Sequence, residues 1–233
     1  MIISRLRPAT AQKSLELESC SAFLRRESAV AQKRMAVADT LNLNLWYPSF
    51  SLEEMMPRAL SVMRQFHFSA ERPGITYLSV HPFSWNEPTI LEQRFSPGVD
   101  PQAAVELASD LLHDDYAYMF EAFWDLWLLD ETTQDWTVKP QQVKFIVHGS
   151  EFEEGTYKDD GHIQVDFGID SPFLQEDVKL TPFNEARVRA NVQKLVEFTN
   201  KIEKNAGISG RVLWSESEEN LAQKLVARLQ KVQ

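Results

Sequence analysis

Hydrophobic and polar residues alternate in the first clearly patterned stretch of the chain, LNLNLWY at residues 41–47. A period of two is typical of a strand with one buried face, and we predict such a strand, ending at Pro48. Apolar residues then recur at helical spacing over residues 52–66. Ser51 and Glu54 form a capping box directly before this run, so the sequence predicts a helix there.

The next patterned stretch predicts a hairpin followed by a long helix. Two strands, 75–81 and 89–95, are joined by a turn that contains Pro and Trp residues. Asp100 is a suitable N-cap and Pro101 suits the first helical position, so we predict a helix over residues 102–128. Its apolar stripe consists of Ala104, Leu107, Ala108, Leu111, Leu112, Met119, Phe120, Phe123 and Trp127.

A second hairpin is predicted after a loop that Trp136 and Pro140 mark. The segments QVKFIVHG (142–149) and GHIQVDFGI (161–169) both alternate apolar and polar residues, which favours two antiparallel strands. Asp160–Gly161 is a favoured two-residue turn between such strands. In the first of these strands Val143, Phe145 and Val147 share one face.

The C-terminal part of the chain predicts a helix, a short strand and a last helix. Apolar residues recur at helical spacing over residues 184–204, and Gly207 and Gly210 end that helix. The strand is RVLW at 211–214. A second capping box, formed by Ser215 and Glu218, precedes the last apolar run.

The predicted element order is β-α-β-β-α-β-β-α-β-α, which indicates an α+β fold. The first six elements match the split β-α-β pattern of ferredoxin-like sandwiches. We therefore expect a ferredoxin-like or related two-layer sandwich, with a mixed or antiparallel sheet and helices mainly on one face. Residues 41–233 would form a single domain with two imperfect halves, 41–139 and 140–233.

Residues 1–40 are expected to form a loosely ordered basic arm. The first 34 residues are rich in Ser, Ala and Arg and show little sustained apolar period. They could also be a targeting segment, or could precede a true start at Met35.

Charge is distributed unevenly along the chain. Residues 1–34 contain seven Lys or Arg and three Glu, which leaves 17 basic and 31 acidic side chains, a net charge of −14, for residues 35–233. An acidic body repels phosphate backbones, so we expect no nucleic-acid partner, whereas a basic protein would be attracted. An acidic surface can also serve only to keep the protein in solution.

The same composition restricts the compartment and the chemistry. No apolar run approaches the roughly 20 residues that cross a bilayer, so no membrane partner is expected. Cys20 is the only cysteine, which excludes a disulfide framework and a thiolate zinc cluster and favours the cytoplasm. The chain has no phosphate-binding loop and no G-x-G-x-x-G turn, and HGSEF at 148–152 lacks the second glycine of a nucleophile elbow. We therefore predict no cofactor and no catalytic residue.

The predicted helix 102–128 carries side chains of the kind that bind metal ions. Its acidic and imidazole side chains at helical spacing could hold a divalent cation if another element added ligands. These side chains are Glu106, Asp110, His113 and Asp114. A solvated helix face explains them better, and we predict no metal ligand.

Candidate binding residues lie in the predicted second hairpin. Its acidic turn supplies Glu153, Glu154 and Asp159, and the strand beyond it carries His162 and Asp166 on its polar face. Four strand residues separate the backbones of His162 and Asp166 by about 13 Å, so the two side chains cannot form a direct catalytic dyad. We interpret them as the solvent-exposed face of a strand, beside an acidic turn that could bind a cationic partner.

Trp124 is the sixth candidate binding residue. It lies one position off the apolar stripe of the predicted helix, so it is either covered by the loop that contains Trp136 or part of an apolar recognition patch. Tryptophan is a common anchor of protein interfaces.

Two hypotheses for function follow. The first is a non-enzymatic binding module of the toxin-neutralising or adaptor type, whose acidic face engages a basic protein. The alternative is a small-molecule-binding domain or a hydrolase-like enzyme that uses His81, His148 or His162 in a cleft between sheet and helices. The alternative would require a pocket with a histidine and a carboxylate within hydrogen-bonding reach.

Overall fold

Seven strands form one open antiparallel sheet. This computed structural model describes residues 39–130, 132–175, 181–215 and 221–230, the last of these without the side chains of 227–230. The strands are β1 (Thr40–Trp46), β2 (Ile75–Pro82), β3 (Leu91–Val99), β4 (Tyr116–Leu129), β5 (Trp136–His148), β6 (Ile163–Ile169) and β7 (Gly210–Ser215). Their order across the sheet is β3-β2-β4-β5-β6-β1-β7, and every ladder between the described strands is antiparallel.

The longer helices pack on one face of this sheet. The described helices are α1 (Leu52–Met63), α2 (Pro101–Ser109), α3 (Tyr157–Asp160), α4 (Ser171–Leu174), α5 (Pro182–Asn205) and α6 (Leu221–Gln230). The buried residues of α1, α2 and α5 share one core with alternate residues of the central strands, because successive strand side chains point to opposite faces. The capping box of Ser51 and Glu54 begins α1 as the sequence predicts.

The α+β class is confirmed, but a ferredoxin-like sandwich specifically is not. The sheet is larger than in a simple two-layer sandwich of that kind. In addition, β1 pairs with β6 on one side and β7 on the other, both antiparallel. A split β-α-β unit that starts at β1 would place β3 between β1 and β2, whereas β4, β5 and β6 lie between them and β3 is at the edge of the described sheet.

The predicted helix 102–128 is wrong over more than half of its length. Helix α2 ends at Ser109, and β4 begins at Tyr116. The stretch YAYMFEAFWDLWLL fits both periods, since its apolar residues recur at helical spacing but also alternate at 118, 120, 122, 124 and 126. Aromatic side chains favour strands, and pairing with β2 and β5 on both sides selects the strand.

Trp136 and Pro140 lie in β5, not in a loop. The His148 amide donates at 3.0 Å to the carbonyl of His162, just before β6, so the His148 N–H points toward β6. Pro140 precedes His148 by eight residues, an even number, and the β4–β5 ladder has no bulge between them. Its nitrogen therefore faces the β6 side, where the ladder has already ended at Lys144 and Asp166. Proline is tolerated at such a position because no partner strand needs its missing N–H.

The connection between β5 and β6 also differs from the prediction. Their antiparallel pairing is confirmed, but Asp160–Gly161 is not a two-residue hairpin turn. Residues 149–162 instead contain a 3₁₀ turn (Phe152–Glu154) and then α3. Gly161 follows α3 at φ +84°, a conformation that favours glycine.

The remaining predicted elements have mixed outcomes. Strand β1, the strands β2 and β3, helix α5 and strand β7 match their predicted positions within a few residues. Ser215 ends β7, and Glu218 of the second predicted capping box lies outside the described residues.

The domain predictions are not tested by the structure. All described residues fall in one unit that starts at Asp39, and the expected basic arm, residues 1–40, lies outside the described part of the chain except for its last two residues. The division into halves stays a prediction. Among the described helices, none is long and apolar enough to cross a membrane.

Candidate functional site

Three histidines lie in one row across the end of the sheet. Residues directly opposite each other in antiparallel strands point to the same face. Ala117 on β4 is opposite both His81 on β2 and His148 on β5, and the His148 amide is bonded to the carbonyl of His162. The strand register therefore places His81, His148 and His162 in one row on the same face, with Ala117 between His81 and His148, where β2 and β5 end and β6 begins.

Three chain segments meet over this row and form what we call the acidic rim: residues 83–87, 110–115 and 149–161. Backbone hydrogen bonds join them. The amide of Phe83 donates to the carbonyl of Asp115 at 2.8 Å, and the amide of Glu151 donates to that of Asp114 at 2.8 Å. Gly149 allows the close approach, since a Cβ there would lie 2.1 Å from the Asp114 oxygen.

Carboxylates dominate the acidic rim. Lys158 is the only lysine or arginine in its three segments. Within the part of the chain that the structure describes, ion pairs with lysine or arginine involve Glu54, Asp166, Glu197 and Glu203, and none involves a rim carboxylate. The rim carboxylates are Glu87, Asp110, Asp114, Asp115, Glu151, Glu153, Glu154, Asp159 and Asp160.

Two large aromatic side chains are exposed within the acidic rim. Phe83 is 58% exposed and Trp85 is 38% exposed. The Trp85 ring lies 5.2 Å from that of the buried Phe152 and 4.7 Å from His81, so its inner edge is packed while its outer edge meets solvent. Such partly anchored aromatic side chains are typical of binding surfaces.

The backbone that carries these side chains is strained. Phe83, Glu153 and Glu154 have φ angles of +57°, +44° and +59°, in a region that non-glycine residues rarely adopt. Two of these strained residues are joined by a hydrogen bond, in which the Glu153 amide donates to the Phe83 carbonyl at 2.9 Å. The Trp85 amide also donates to the Glu153 carboxylate at 3.1 Å. Strained residues of this kind concentrate at functional sites.

The surroundings of the histidines beneath the rim lower their pKa and so favour the neutral form. Burial lowers the pKa of His148, although the Gly161 carbonyl that accepts from its Nδ1 and the carboxylates of Asp160 and Glu153 act in the opposite direction. Burial also lowers the pKa of His81, whose Nε2 is 2.9 Å from the Ser79 hydroxyl. Ser79 is fully buried, so this pair offers no accessible nucleophile.

Four of the six predicted binding residues come together at this end of the sheet. Glu153, Glu154 and Asp159 belong to the acidic rim, and His162 lies beneath it. Asp159 is exposed, and its main-chain carbonyl accepts from the Asn44 side chain at 3.3 Å.

Trp124 is not a surface residue. It is 1% exposed, because it lies on β4 and points into the core. Its ring packs against Phe66, Phe167 and Phe173 at centroid distances of 5.5, 5.2 and 5.7 Å. The prediction of a possible recognition patch at Trp124 is therefore wrong, and it followed from reading β4 as a helix.

Asp166 lies away from the rim, in a pocket of about 250 Å³ where β5 and β6 diverge. Its carboxylate is 3.8 Å from the ammonium group of Lys144 and accepts from the Gly168 amide at 2.8 Å. No histidine lines this pocket, so the pocket lacks the histidine and carboxylate pair that a hydrolase-like site would require. The Asp115 carboxylate does contact the His113 ring, but this pair lies on the exposed surface of the rim and not in a pocket of that kind.

Phe83 and Trp85 were missed by sequence reasoning. The available signal was the HPFSW stretch, in which two large aromatic residues fall within a predicted turn. Turns are usually on the surface, so apolar rings there require either a covering segment or a partner.

Comparison with protein-family models, curated proteins and solved structures found no match to this chain. The described residues contain no group of three or more His, Cys, Asp or Glu side chains placed to hold a metal ion.

Proposed function

We propose that this protein is a non-enzymatic binding module whose acidic rim engages a basic surface of a partner protein. The observation that carries the proposal is the pair of exposed rings, Phe83 and Trp85, among carboxylates that form no ion pair with lysine or arginine in the described structure. Aromatic anchors supply binding energy when they are desolvated, and the surrounding charges steer association and select the partner.

The strained rim backbone supports the same proposal. A rim fixed by hydrogen bonds between three segments presents its aromatic anchors in one arrangement, so that less conformational freedom is lost on binding. The prediction that nucleic acid is not a partner rests on the same charges, since phosphates would be repelled.

The experiment is affinity capture from the native cell extract, with identification of the captured protein and titration of the purified pair. The compared variants are a double charge reversal, Glu154→Lys with Asp159→Lys, and Phe83→Ala. The control is Glu71→Lys, an exposed site before β2 at the opposite end of the sheet. Capture should weaken as salt rises from about 0.01 M to about 0.15 M, where the Debye length falls from about 30 Å to about 8 Å.

We expect a basic partner that binds the control variant like the wild type. The charge-reversed variant should associate more slowly. Phe83→Ala should bind the partner on the order of 30-fold more weakly, because loss of a hot-spot side chain reduces the binding free energy by about 2 kcal/mol. Recovery of no partner at low salt, or a partner that binds the rim variants as tightly as the control, would contradict the proposal.

A further inference from the structure

His162 is held in one tautomer by a backbone contact. Its Nδ1 accepts a hydrogen bond from the Tyr47 amide at 3.1 Å, so in the folded protein this nitrogen carries a lone pair and the ring proton sits on Nε2. The ring is also stacked between Phe50 and Tyr157, at centroid distances of 4.6 and 4.8 Å. Both its orientation and its protonation state are therefore fixed by the fold.

A second proton on His162 is incompatible with this arrangement. A cationic imidazole donates from both nitrogens, so the Nδ1 proton would point at the Tyr47 N–H and one of the two donors would lose its partner. A half-turn of the ring about Cβ–Cγ would keep it in the stack but leave the Tyr47 N–H without an acceptor, and any smaller turn would take the ring out of the stack between Phe50 and Tyr157.

Tyr157 connects His162 to the acidic rim, because it is the first residue of α3. This short helix is attached to β1 by two more hydrogen bonds. The Trp46 indole donates to the Tyr157 carbonyl at 3.1 Å, and the side-chain amide of Asn44 donates to the Asp159 carbonyl at 3.3 Å. Movement of the His162 ring would thus disturb the attachment of α3, and with it the rim segment 149–161.

The electrostatic surroundings of His162 oppose protonation. Burial, and then the neighbouring His148, lower the pKa of His162 below its ordinary value. The titratable or charged side chains on the segments around it are His148 at the end of β5, Tyr47 between β1 and α1, Glu53, Glu54 and Arg58 on α1, and Tyr157, Lys158, Asp159 and Asp160 on α3. The Arg58 guanidinium lies 5.2 Å from the Tyr47 ring centre and is paired with the Glu54 carboxylate at 3.1 Å.

We propose that His162 is a pH switch for the acidic rim, in which a second ring proton breaks the bond to Tyr47, releases α3 and loosens residues 149–161. Its consequence for binding rests on the proposed function above, whereas the loosening itself does not. A partner bound through the rim would dissociate as the pH falls below neutral.

The pH range follows from the direction of the pKa change. An unfolded or released His162 has a pKa of about 6.5, and the folded environment lowers that value. The attachment of α3 is therefore fully stable above about pH 6.5 and weakens as the pH falls toward the folded pKa. The released fraction should rise by up to about tenfold for each unit by which the fold lowers that pKa.

Hydrogen exchange tests the loosening without a partner. Amide hydrogen exchange is measured in peptides that cover residues 44–50 and 155–162, at about pH 7.5 and about pH 5.5, one unit above and one unit below the ordinary histidine pKa. Peptides from the β4–β5 ladder serve as the internal reference for the chemical effect of pH on exchange. The compared variant is His162→Asn, whose uncharged side-chain oxygen can accept from Tyr47. The control is His67→Asn, at an exposed histidine that contacts Lys201.

In the wild type and the control, both peptides should exchange faster than the reference at the lower pH. In His162→Asn this difference should disappear. An equal pH effect in His162→Asn, or none in the wild type, would overturn the proposal.

Should His162→Asn not fold, NMR of the wild type gives the same decision. The ring nitrogens of His162 should titrate together with the amide of Tyr47, and different midpoints would overturn the switch. Because neither measurement involves a partner, loosening without any rim-dependent binding would reject only the proposed function.

Discussion

Strain at Phe83 can be measured by replacing it with alanine and with glycine. Both substitutions remove the same ring, so its packing cancels when the two variants are compared. Alanine at φ +57° pays a free-energy penalty of roughly 1–2 kcal/mol for the left-handed backbone conformation. Glycine avoids this penalty, but it lowers the stability by about 0.4–1 kcal/mol because it raises the conformational entropy of the unfolded chain. Phe83→Gly should therefore be more stable than Phe83→Ala by about 0.5–1 kcal/mol.

The assay is thermal and urea unfolding of both variants, followed by circular dichroism. For a protein of this size the expected difference in Tm is about 1–4 °C in favour of glycine. Glu87 provides the matched control, since it is exposed in the same segment and its φ is not positive. There the order should reverse, with alanine more stable than glycine. An alanine variant that is more stable at position 83 would refute the strain argument, and with it the structural support for a fixed rim.

Strand β1 and helices α1 and α5 could be predicted from the sequence because each carries one clear period, and the two helices also begin at a capping residue. Ser51 with Glu54 caps α1, and the side chain of Thr181 caps α5 by accepting from the Asn184 amide at 3.3 Å. Such signals act within a few residues, so they do not depend on the rest of the fold.

Strand β4 could not be predicted in the same way, because its pattern fits a helix and a strand equally well. The choice is made by β2 and β5, which pair with it along most of its length, and sequence reasoning on one segment does not contain that information. The error at Trp124 is a direct consequence. A period of 3.6 placed its side chain beside the buried stripe, whereas a period of two places it in the core.

The candidate site was predicted in its charge but not in its architecture. Glu153, Glu154 and Asp159 were identified because they are adjacent in sequence. The rim also needs Phe83 and Asp115, which are distant in sequence and meet through a single backbone hydrogen bond of 2.8 Å. Phe83 also has a positive φ of +57°, a conformation that no local preference of phenylalanine predicts.

Two further predictions separate the fold from the rim. Trp124→Ala should lower the free energy of unfolding by about 3–5 kcal/mol, since it removes a fully buried ring, and urea unfolding that shows a loss below about 1 kcal/mol would contradict its place in the core. Gly161→Ala should destabilise the protein more than Gly168→Ala does. Both glycines have positive φ, +84° and +75°, and Gly161 also has ψ 158°, a combination that is essentially confined to glycine. At Gly161 the new Cβ would clash with backbone, at 2.7 Å from the Leu45 nitrogen, whereas at Gly168 the nearest atom is at an ordinary contact distance of 3.8 Å. The excess loss in Tm for Gly161→Ala therefore reports the backbone conformation of Gly161 together with its close contact to β1, and equal losses in the two variants would mean that neither is present in solution.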